Sequence, residues 1–218
     1  MTPMEKNADT QQRLLESACE LFAEKGYPST TLADVCDRAR ANKAAVNYYF
    51  RSKENLYAEA WRLEFERSFK AHPLDGDVAA DAPPEERLRA HILSMAQRIT
   101  DPKAHEFDII EKERANPTGL LVEIMRTSIQ PAHEHMGAIV RELLGPKASE
   151  QQAALCQRSI VAQCMDIFIH ERPGRKVHGP PPMNLGIQDI AEHIVRFSLA
   201  GIRDTRRRLE NGELDDGE

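Results

Sequence analysis

Hydrophobic residues recur at intervals of three and four positions along almost the whole chain. In the segment QQRLLESACELFAEKG, apolar residues from Leu14 to Phe22 fall on one side of a helix, and Gly26 follows where a helix commonly ends. No segment shows the alternation of apolar and polar residues that is typical of a half-buried strand. The pattern therefore predicts an all-α protein.

Two short helices follow the first one and are joined by a tight turn. Thr31, with Asp34 three positions later, has the spacing of a capping box, and Asn42 is a suitable N-cap for the segment KAAVNYYF. Val46 and Phe50 are four residues apart, so they share the face of the second short helix that turns inward. This arrangement predicts a helix-turn-helix unit.

A linker rich in proline and aspartate, HPLDGDVAADAPPEE, separates this unit and the helix after it from the remainder of the chain. Five further helices are predicted, and the proline-rich loop RPGRKVHGPPPMNLG precedes the last of them. Their approximate ranges are 85–100, 104–114, 118–144, 149–171 and 187–210. The predicted domains are a DNA-binding unit at 1–55, a helical effector-binding and dimerisation domain at 56–211, and an acidic tail at 212–218.

Charge changes this picture locally. The 218-residue chain has 29 Lys and Arg against 35 Asp and Glu, a net charge of −6, which argues against general coating of nucleic acid or of an anionic membrane. The stretch from residue 38 to residue 53 nevertheless contains five cations and no acid. These are Arg38, Arg40, Lys43, Arg51 and Lys53.

The second short helix is predicted to present a polar face opposite its apolar one. Because successive residues step by about 100° around a helix, Lys43, Ala44, Asn47 and Tyr48 gather toward solvent. A cation, an amide, a phenol and a small residue suit base edges in the major groove, and the flanking cations suit phosphates on either side. The alternative is an ordinary solvated basic surface.

The segment RLLESACELFAEKGYPSTTLADVCDRARANKAAVNYYFRSKENLYAEAW resembles the DNA-binding domain of the TetR family of bacterial transcriptional regulators. The later segment IIEKERANPTGLLVEIMRTSIQPAHEHMGAIVRELLG is similar to the CecR-like branch of that family. The resemblance implies an all-helical homodimer whose three N-terminal helices bind double-stranded DNA at a palindromic operator. It implies that the C-terminal helices form a ligand pocket and the dimer interface.

The resemblance also assigns roles by position. It places Lys43, Ala44, Ala45, Asn47 and Tyr48 where base or near-base contacts are made, and Thr31, Tyr49 and Lys53 where phosphate contacts are made. Arg40 stands in the turn where the family usually has glycine. A residue other than glycine at positive φ is strained, so Arg40 either accepts the strain and contacts a phosphate or the turn differs.

The C-terminal helices carry more apolar surface than one face needs, which favours a dimer interface over the alternative that both are simply core. The interface is predicted to include Ile187, Ile190, Ile194, Ser198, Gly201 and Ile202. A ligand pocket for an apolar effector is predicted between helices, although each candidate could equally be plain core. The candidates are Met95, Ile99, Phe107, Met125, Ile129, Met136 and Phe168.

Enzymatic chemistry finds no support in the motifs. The chain has no G-x-S-x-G, P-loop or G-x-G-x-x-G segment, so we expect no enzymatic activity and no cofactor. His133 and His135 are two residues apart and cannot chelate one ion together, so we expect no metal site. Glu111, Glu113 and Arg114 could form an acid–base cluster, but an ion-paired helix end is the preferred interpretation.

The function predicted from the sequence is a ligand-responsive DNA-binding transcriptional regulator, a repressor released from its operator by a small effector that the sequence does not identify. The alternative is a helical ligand-binding or enzymatic protein whose N-terminal unit docks another protein. The first ten residues are polar and no apolar run approaches the length of a bilayer span, so we expect a cytoplasmic protein that does not enter the membrane.

Overall fold

The computed structural model describes residues 3–172 and 183–214, with side chains described from residue 8 onward. All regular structure within these ranges is helical, which confirms the predicted fold class. Most of the predicted proline-rich loop, with His178, and the last four residues of the predicted acidic tail lie outside the described residues.

The described residues form nine helices. These are α1 (Pro3–Ser29), α2 (Leu32–Ala39), α3 (Lys43–Tyr49), α4 (Lys53–Ala71), α5 (Pro84–Thr100), α6 (Glu106–Ala115), α7 (Val122–Leu144), α8 (Glu150–His170) and α9 (Ile187–Glu210). The predicted bounds of the last five agree within two residues except at the start of α7. That helix was expected from residue 118 but begins at Val122, because Gly119 has a φ of 76° and the N–H groups of Thr118 and Gly119 donate to the Glu113 side chain.

The helices divide into two compact units. The first comprises residues 1–68 and 103–128, and the second comprises residues 69–102 and 129–218. Most of α4 and all of α6 therefore pack with the first three helices, and the predicted domain boundary after residue 55 stays a prediction. Each unit has its own apolar core: Leu14, Phe22, Val46, Leu56, Trp61 and Ile109 are buried in the first, and Leu88, Ile92, Met136, Val140, Ile160 and Ile194 are buried in the second.

In the first unit α1 packs against α2, α3 and α6. Its helical course is interrupted at Gly26, whose φ of 76° and ψ of 169° are not helical, at the position where the sequence predicts its end. The hydroxyl of the fully buried Thr30 has one hydrogen to donate and lies 2.8 Å from the carbonyl of Gly26 and 3.1 Å from that of Leu21. This contact supplies a donor to a carbonyl at the interruption.

In the second unit α5 packs against α8 and α9, which also pack against each other. The buried Arg172 closes one end of this bundle by donating from its guanidinium to the carbonyls of Ile99 and Asp101. Among the described helices none is both long enough and apolar enough to cross a lipid bilayer.

Candidate nucleic-acid interface

The start of α2 is fixed by a reciprocal cap. The hydroxyl of Thr31 accepts from the backbone N–H of Asp34 at 3.1 Å, and the Asp34 carboxylate accepts from the N–H of Thr31 at 3.0 Å. The hydrogen bond from the Thr31 backbone lowers the pKa of Asp34. This confirms the capping box expected from the sequence and leaves Thr31 exposed at the edge of the unit.

The turn between α2 and α3 consists of Arg40, Ala41 and Asn42. Arg40 is left-handed, with φ 51° and ψ 47°, and the N–H of Ala41 donates to the Cys36 carbonyl at 2.9 Å. Asn42 begins α3, because its side-chain oxygen accepts from the N–H of Ala45 at 2.9 Å. Of the two alternatives for Arg40, the structure has the strained positive φ, and it allows α3 to start after only three residues.

The orientation of α3 follows its apolar residues. Val46 and Phe50 are 0% and 4% exposed and fix the inner face. The ring of Tyr48 is 75% exposed and meets the Tyr49 ring edge-on at 4.9 Å between centroids. Of the other residues predicted to contact DNA in α3, Lys43, Ala44 and Asn47 are exposed, while Ala45 and Tyr49 are partly buried.

Three cations surround this exposed face. Arg40 precedes α3, Lys43 begins it and Arg51 follows it, and all three are exposed. None of the three forms an ion pair within the part of the chain that the structure describes. Their charges are therefore available to an anion at this surface, and phosphates are the anions that a nucleic acid supplies.

The other two cations of the basic stretch are held within the first unit. The Arg38 guanidinium donates to Glu24 at 2.9 and 3.0 Å, and this hydrogen bond lowers the pKa of the Glu24 carboxyl. The Lys53 ammonium donates to the Tyr27 carbonyl at 2.6 Å and lies 4.1 Å from the centre of the Tyr27 ring. The sequence does not distinguish these two cations from the other three. The reason is that their partners, Glu24 and Tyr27, belong to α1 and are far from the basic stretch along the chain.

Arg40→Gly is expected to raise the free energy of unfolding by about 0.5–1 kcal/mol. Glycine removes the left-handed strain, and the larger conformational entropy of glycine in the unfolded chain offsets part of the gain. Urea unfolding followed by circular dichroism measures this. Asp37→Gly, three residues earlier within helical α2, is the matched control and should have the opposite sign. Destabilisation by Arg40→Gly would show that the arginine side chain stabilises the turn.

The buried carboxylate of Glu113 ties α6 to α4 and to the loop before α7. It accepts from the Tyr57 hydroxyl at 3.1 Å, from the N–H and hydroxyl of Thr118 at 2.8 Å each, and from the N–H of Gly119 at 3.1 Å. Burial is the main cause that raises the pKa of Tyr57, whose ring lies 4.7 Å from that of Phe22. The preferred interpretation of an ion-paired helix end is wrong for Glu113, which forms no ion pair with any described residue.

The α9 residues predicted for the dimer interface lie on two different faces of the helix, one buried and one exposed. Ile190, Ile194, Ser198 and Ile202 are between 2% and 7% exposed, because α9 packs with α5 and α8 of the same chain. Ile187 is partly buried, and Gly201 is exposed with no atom near the position of an added Cβ. The interface assignment stays a prediction.

Large apolar side chains remain exposed on the two C-terminal helices. Phe197 of α9 is 65% exposed and stacks on His193, while Leu155 of α8 is 63% exposed. Both residues lie in the two helices predicted to form the interface, although neither is among the six residues predicted for it. Most residues of the apolar stripe of α9 are buried against other helices of the same chain.

The seven predicted pocket residues belong to different units. Phe107 and Met125 are part of the first unit and the other five are part of the second. An open cavity of about 580 Å³ lies in the second unit between residues 71–78 and α5, and it is lined by His72, Val78 and Ser94 among others. None of the seven lines it, so their role in a pocket stays a prediction. Ile99, Phe107, Met136 and Phe168 are buried, whereas Met95, Met125 and Ile129 are partly buried.

Two family models match the chain. The model of the bacterial regulatory proteins of the tetR family matches residues 14–60, which contain α2, α3 and the turn between them. The model of the C-terminal domain of the HTH-type transcriptional dual regulator CecR matches residues 84–202, which is more than half of the chain.

Individual proteins agree with these models. The HTH-type transcriptional dual regulator CecR of Shigella flexneri is 25% identical over 170 residues, covering 73% of this chain and 76% of that protein. The crystal structure of the TetR-family regulator PfmR from Thermus thermophilus matches with a TM-score of 0.64 and 22% identity over 86% of this chain and 97% of that one. AibR, solved in complex with isovaleryl coenzyme A and operator DNA, matches with a TM-score of 0.66 and 21% identity over the same shares.

Proposed function

Because the chain belongs to the TetR family of bacterial transcriptional regulators, with a C-terminal domain of the CecR type, we propose that it represses transcription from a palindromic operator until a small effector releases it. The chain is a transcriptional regulator and not an enzyme, in agreement with its relatives. Repression, the operator symmetry, the homodimer, the effector and a cytoplasmic location are the proposed parts.

The observation that carries the proposal is the exposed face of α3. It combines an amide at Asn47 and a phenol at Tyr48 with Arg40, Lys43 and Arg51, three cations that form no ion pair with any described residue. The amide can donate and accept at once, which matches N6 and N7 of adenine, and the cations neutralise phosphates on either side. The phosphate and base contacts expected from the sequence are part of this proposal.

Two copies of the chain would place two α3 helices on successive major grooves. Half-sites on one face of B-DNA are about 34–36 Å apart, so a change of a few ångströms in the spacing of the two helices weakens simultaneous docking. A relative of the same fold was solved with both operator DNA and an acyl coenzyme A thioester, which supports an effector that binds away from α3. We propose that the ERANPTG junction, where Glu113 bonds to Tyr57 of α4, transmits the effect.

Asn47→Ala is expected to cost about 1–3 kcal/mol on the operator and to relax the preference at one base pair. The slope of log K against log salt should stay unchanged, because no phosphate contact is lost. Arg40→Gly is the matched control: it should weaken operator and random DNA alike and reduce that slope by about 0.9. Fluorescence anisotropy with operator and random duplexes at about 50 to 200 mM salt measures both. If Asn47→Ala lowers the affinity for the operator and for random DNA equally, Asn47 does not read a base.

Phe197→Glu is expected to convert the proposed homodimer into a monomer that keeps its helicity. The side chain is largely exposed in one chain, so the charge costs little there, but it would be desolvated in an interface between two copies. Sedimentation velocity and circular dichroism measure the two quantities. Arg203→Glu, an exposed position further along α9, is the control for added charge. A dimer of unchanged affinity would mean that the interface uses another surface.

A further inference from the structure

Two histidine rings from different helices stack inside the second unit. His91 of α5 and His135 of α7 have ring centroids 5.4 Å apart and planes inclined by 18°. His91 is only 3% exposed. The Nδ1 atom of His91 and the Nε2 atom of His135 are both buried, and neither has a hydrogen-bond partner among the described residues.

Two unpaired buried nitrogens at one place are unusual. Buried polar atoms in folded proteins are nearly always hydrogen-bonded, because an unpaired one has lost its water without gaining a partner. Neither nitrogen is needed for packing, since a phenyl ring would fill similar space. The pair is therefore better explained by a molecule that hydrogen-bonds to both rings than by a role in the apolar core.

The surrounding charge decides which kind of molecule fits. The ionisable groups that act on His91 are all basic, namely His135, Arg98 and His133, and together with burial, which dominates, they lower the pKa of His91 to about 3. Arg98 is two helical turns beyond His91 on the same face of α5 and is 6% exposed, with its guanidinium 3.5 Å from the centre of the Phe69 ring. The permanent charge of the Arg98 guanidinium disfavours a metal cation, and no group of three metal-ligating side chains occurs among the described residues. The same charge favours an anion.

We propose that His91 and His135 anchor the acidic group of an effector, a carboxylate with an apolar tail. Each neutral imidazole carries one N–H, and the tautomers with hydrogen on the two unpaired nitrogens can donate two charge-assisted hydrogen bonds to one carboxylate. Met95 and Ile139 follow the two histidines by one helical turn each, which places apolar side chains beside the pair for the tail. That the bound molecule is the effector rests on the proposed function, whereas the binding site itself does not.

The test uses straight-chain carboxylates from butanoate to dodecanoate as probes, on the full chain with ¹⁵N-labelled histidine. Titration should shift the ring nitrogen resonances of His91 and His135 and leave those of His193, which is exposed on α9, unchanged. The alcohols and amines of the same chain lengths separate recognition of the acid from simple partitioning of the tail. An alcohol or amine that binds as tightly as the matching carboxylate would overturn the proposal.

Variants locate the site. His91→Phe and His135→Phe should each weaken the best probe by about 10- to 100-fold, the range for a hydrogen bond to a charged group. His133→Phe is the matched control, since His133 is exposed on α7 two residues from His135 and has the smallest effect on His91 of the three basic groups, and it should weaken the probe much less than either of the other two substitutions. Isothermal titration calorimetry measures all three. Undiminished binding to the His91→Phe/His135→Phe double variant would overturn the assignment.

Carboxylate binding by the two histidines and regulation of operator binding are measured separately, so each can fail without the other. If no carboxylate binds but the chain still binds its operator, the anchor is wrong and the regulator stands. If a carboxylate binds through the two histidines but leaves operator affinity unchanged, the site stands and its role as the effector site is lost. All three variants should bind the operator normally without probe, because the substitutions lie in the second unit and α3 lies in the first.

Discussion

Glu113→Leu is expected to lower the free energy of unfolding by about 2–4 kcal/mol. The substitution leaves the Tyr57 hydroxyl and the N–H groups of Thr118 and Gly119 without their acceptor. Each buried donor left unpaired costs about 1–3 kcal/mol, and water can reach part of the loop, so the sum is less than three full penalties. Urea unfolding followed by circular dichroism measures the loss.

Two comparisons make this result specific to the Glu113 carboxylate. Arg114→Leu changes the next residue of the same helix, which is exposed, and should shift stability by no more than about 0.5 kcal/mol. A double-mutant cycle of Glu113→Leu with Tyr57→Phe isolates the bond between the two side chains. If Glu113→Leu costs no more than Arg114→Leu, the loop before α7 is held by other contacts.

Acid is expected to destabilise the chain through His91. The pKa of this buried side chain is lowered from 6.5 to about 3, mainly by burial. Between pH values of about 6.5 and 3 the His91 ring is protonated in the unfolded chain but neutral in the folded chain. The free energy of unfolding therefore falls as pH falls through this range. At about pH 5 the contribution of His91 amounts to about 2 kcal/mol, and it grows to several kcal/mol near pH 3.

His91→Phe should remove this part of the acid sensitivity. Urea unfolding of the native chain and the variant at a series of pH values from about 7 down to about 4 gives the difference, in which contributions common to both proteins cancel. His133→Phe, at an exposed position whose charge is the smallest of the influences on His91, should keep most of the native pH dependence. Parallel pH profiles for the native chain and His91→Phe would mean that the His91 ring is protonated or solvated in the folded protein.

The helix-turn-helix could be read from the sequence because its determinants are local. Asn42 caps α3 through a residue three positions away, and Val46 and Phe50 fix its inner face by their own spacing. The positive φ of Arg40 was one of two alternatives that the resemblance to a family with glycine at this position left open. Interactions between residues that are close in the sequence leave a pattern that can be recognised in one sequence alone.

The remaining features depend on partners far away in the chain. His91 and His135 are 44 positions apart, and Arg38 meets Glu24 across two helices, so no local spacing could indicate either pair. The sequence shows the apolar stripe on α9. Amphipathicity indicates which face of a helix is buried, but not whether the same chain or a second copy buries it. Ile194 consequently looked available to a second copy, although its own chain buries it.

The φ values on either side of α3 have a consequence for how this protein could acquire a new operator. Arg40 and Arg51, with φ of 51° and 66°, stop helical hydrogen bonding from extending in either direction, so α3 cannot lengthen, and Val46 and Phe50 keep it from rotating. Its exposed positions can therefore vary without moving the backbone that carries them. A combinatorial library at residues 43, 44, 47 and 48 should yield mostly folded proteins, and selection from it can change the DNA sequence recognised while the architecture is inherited unchanged.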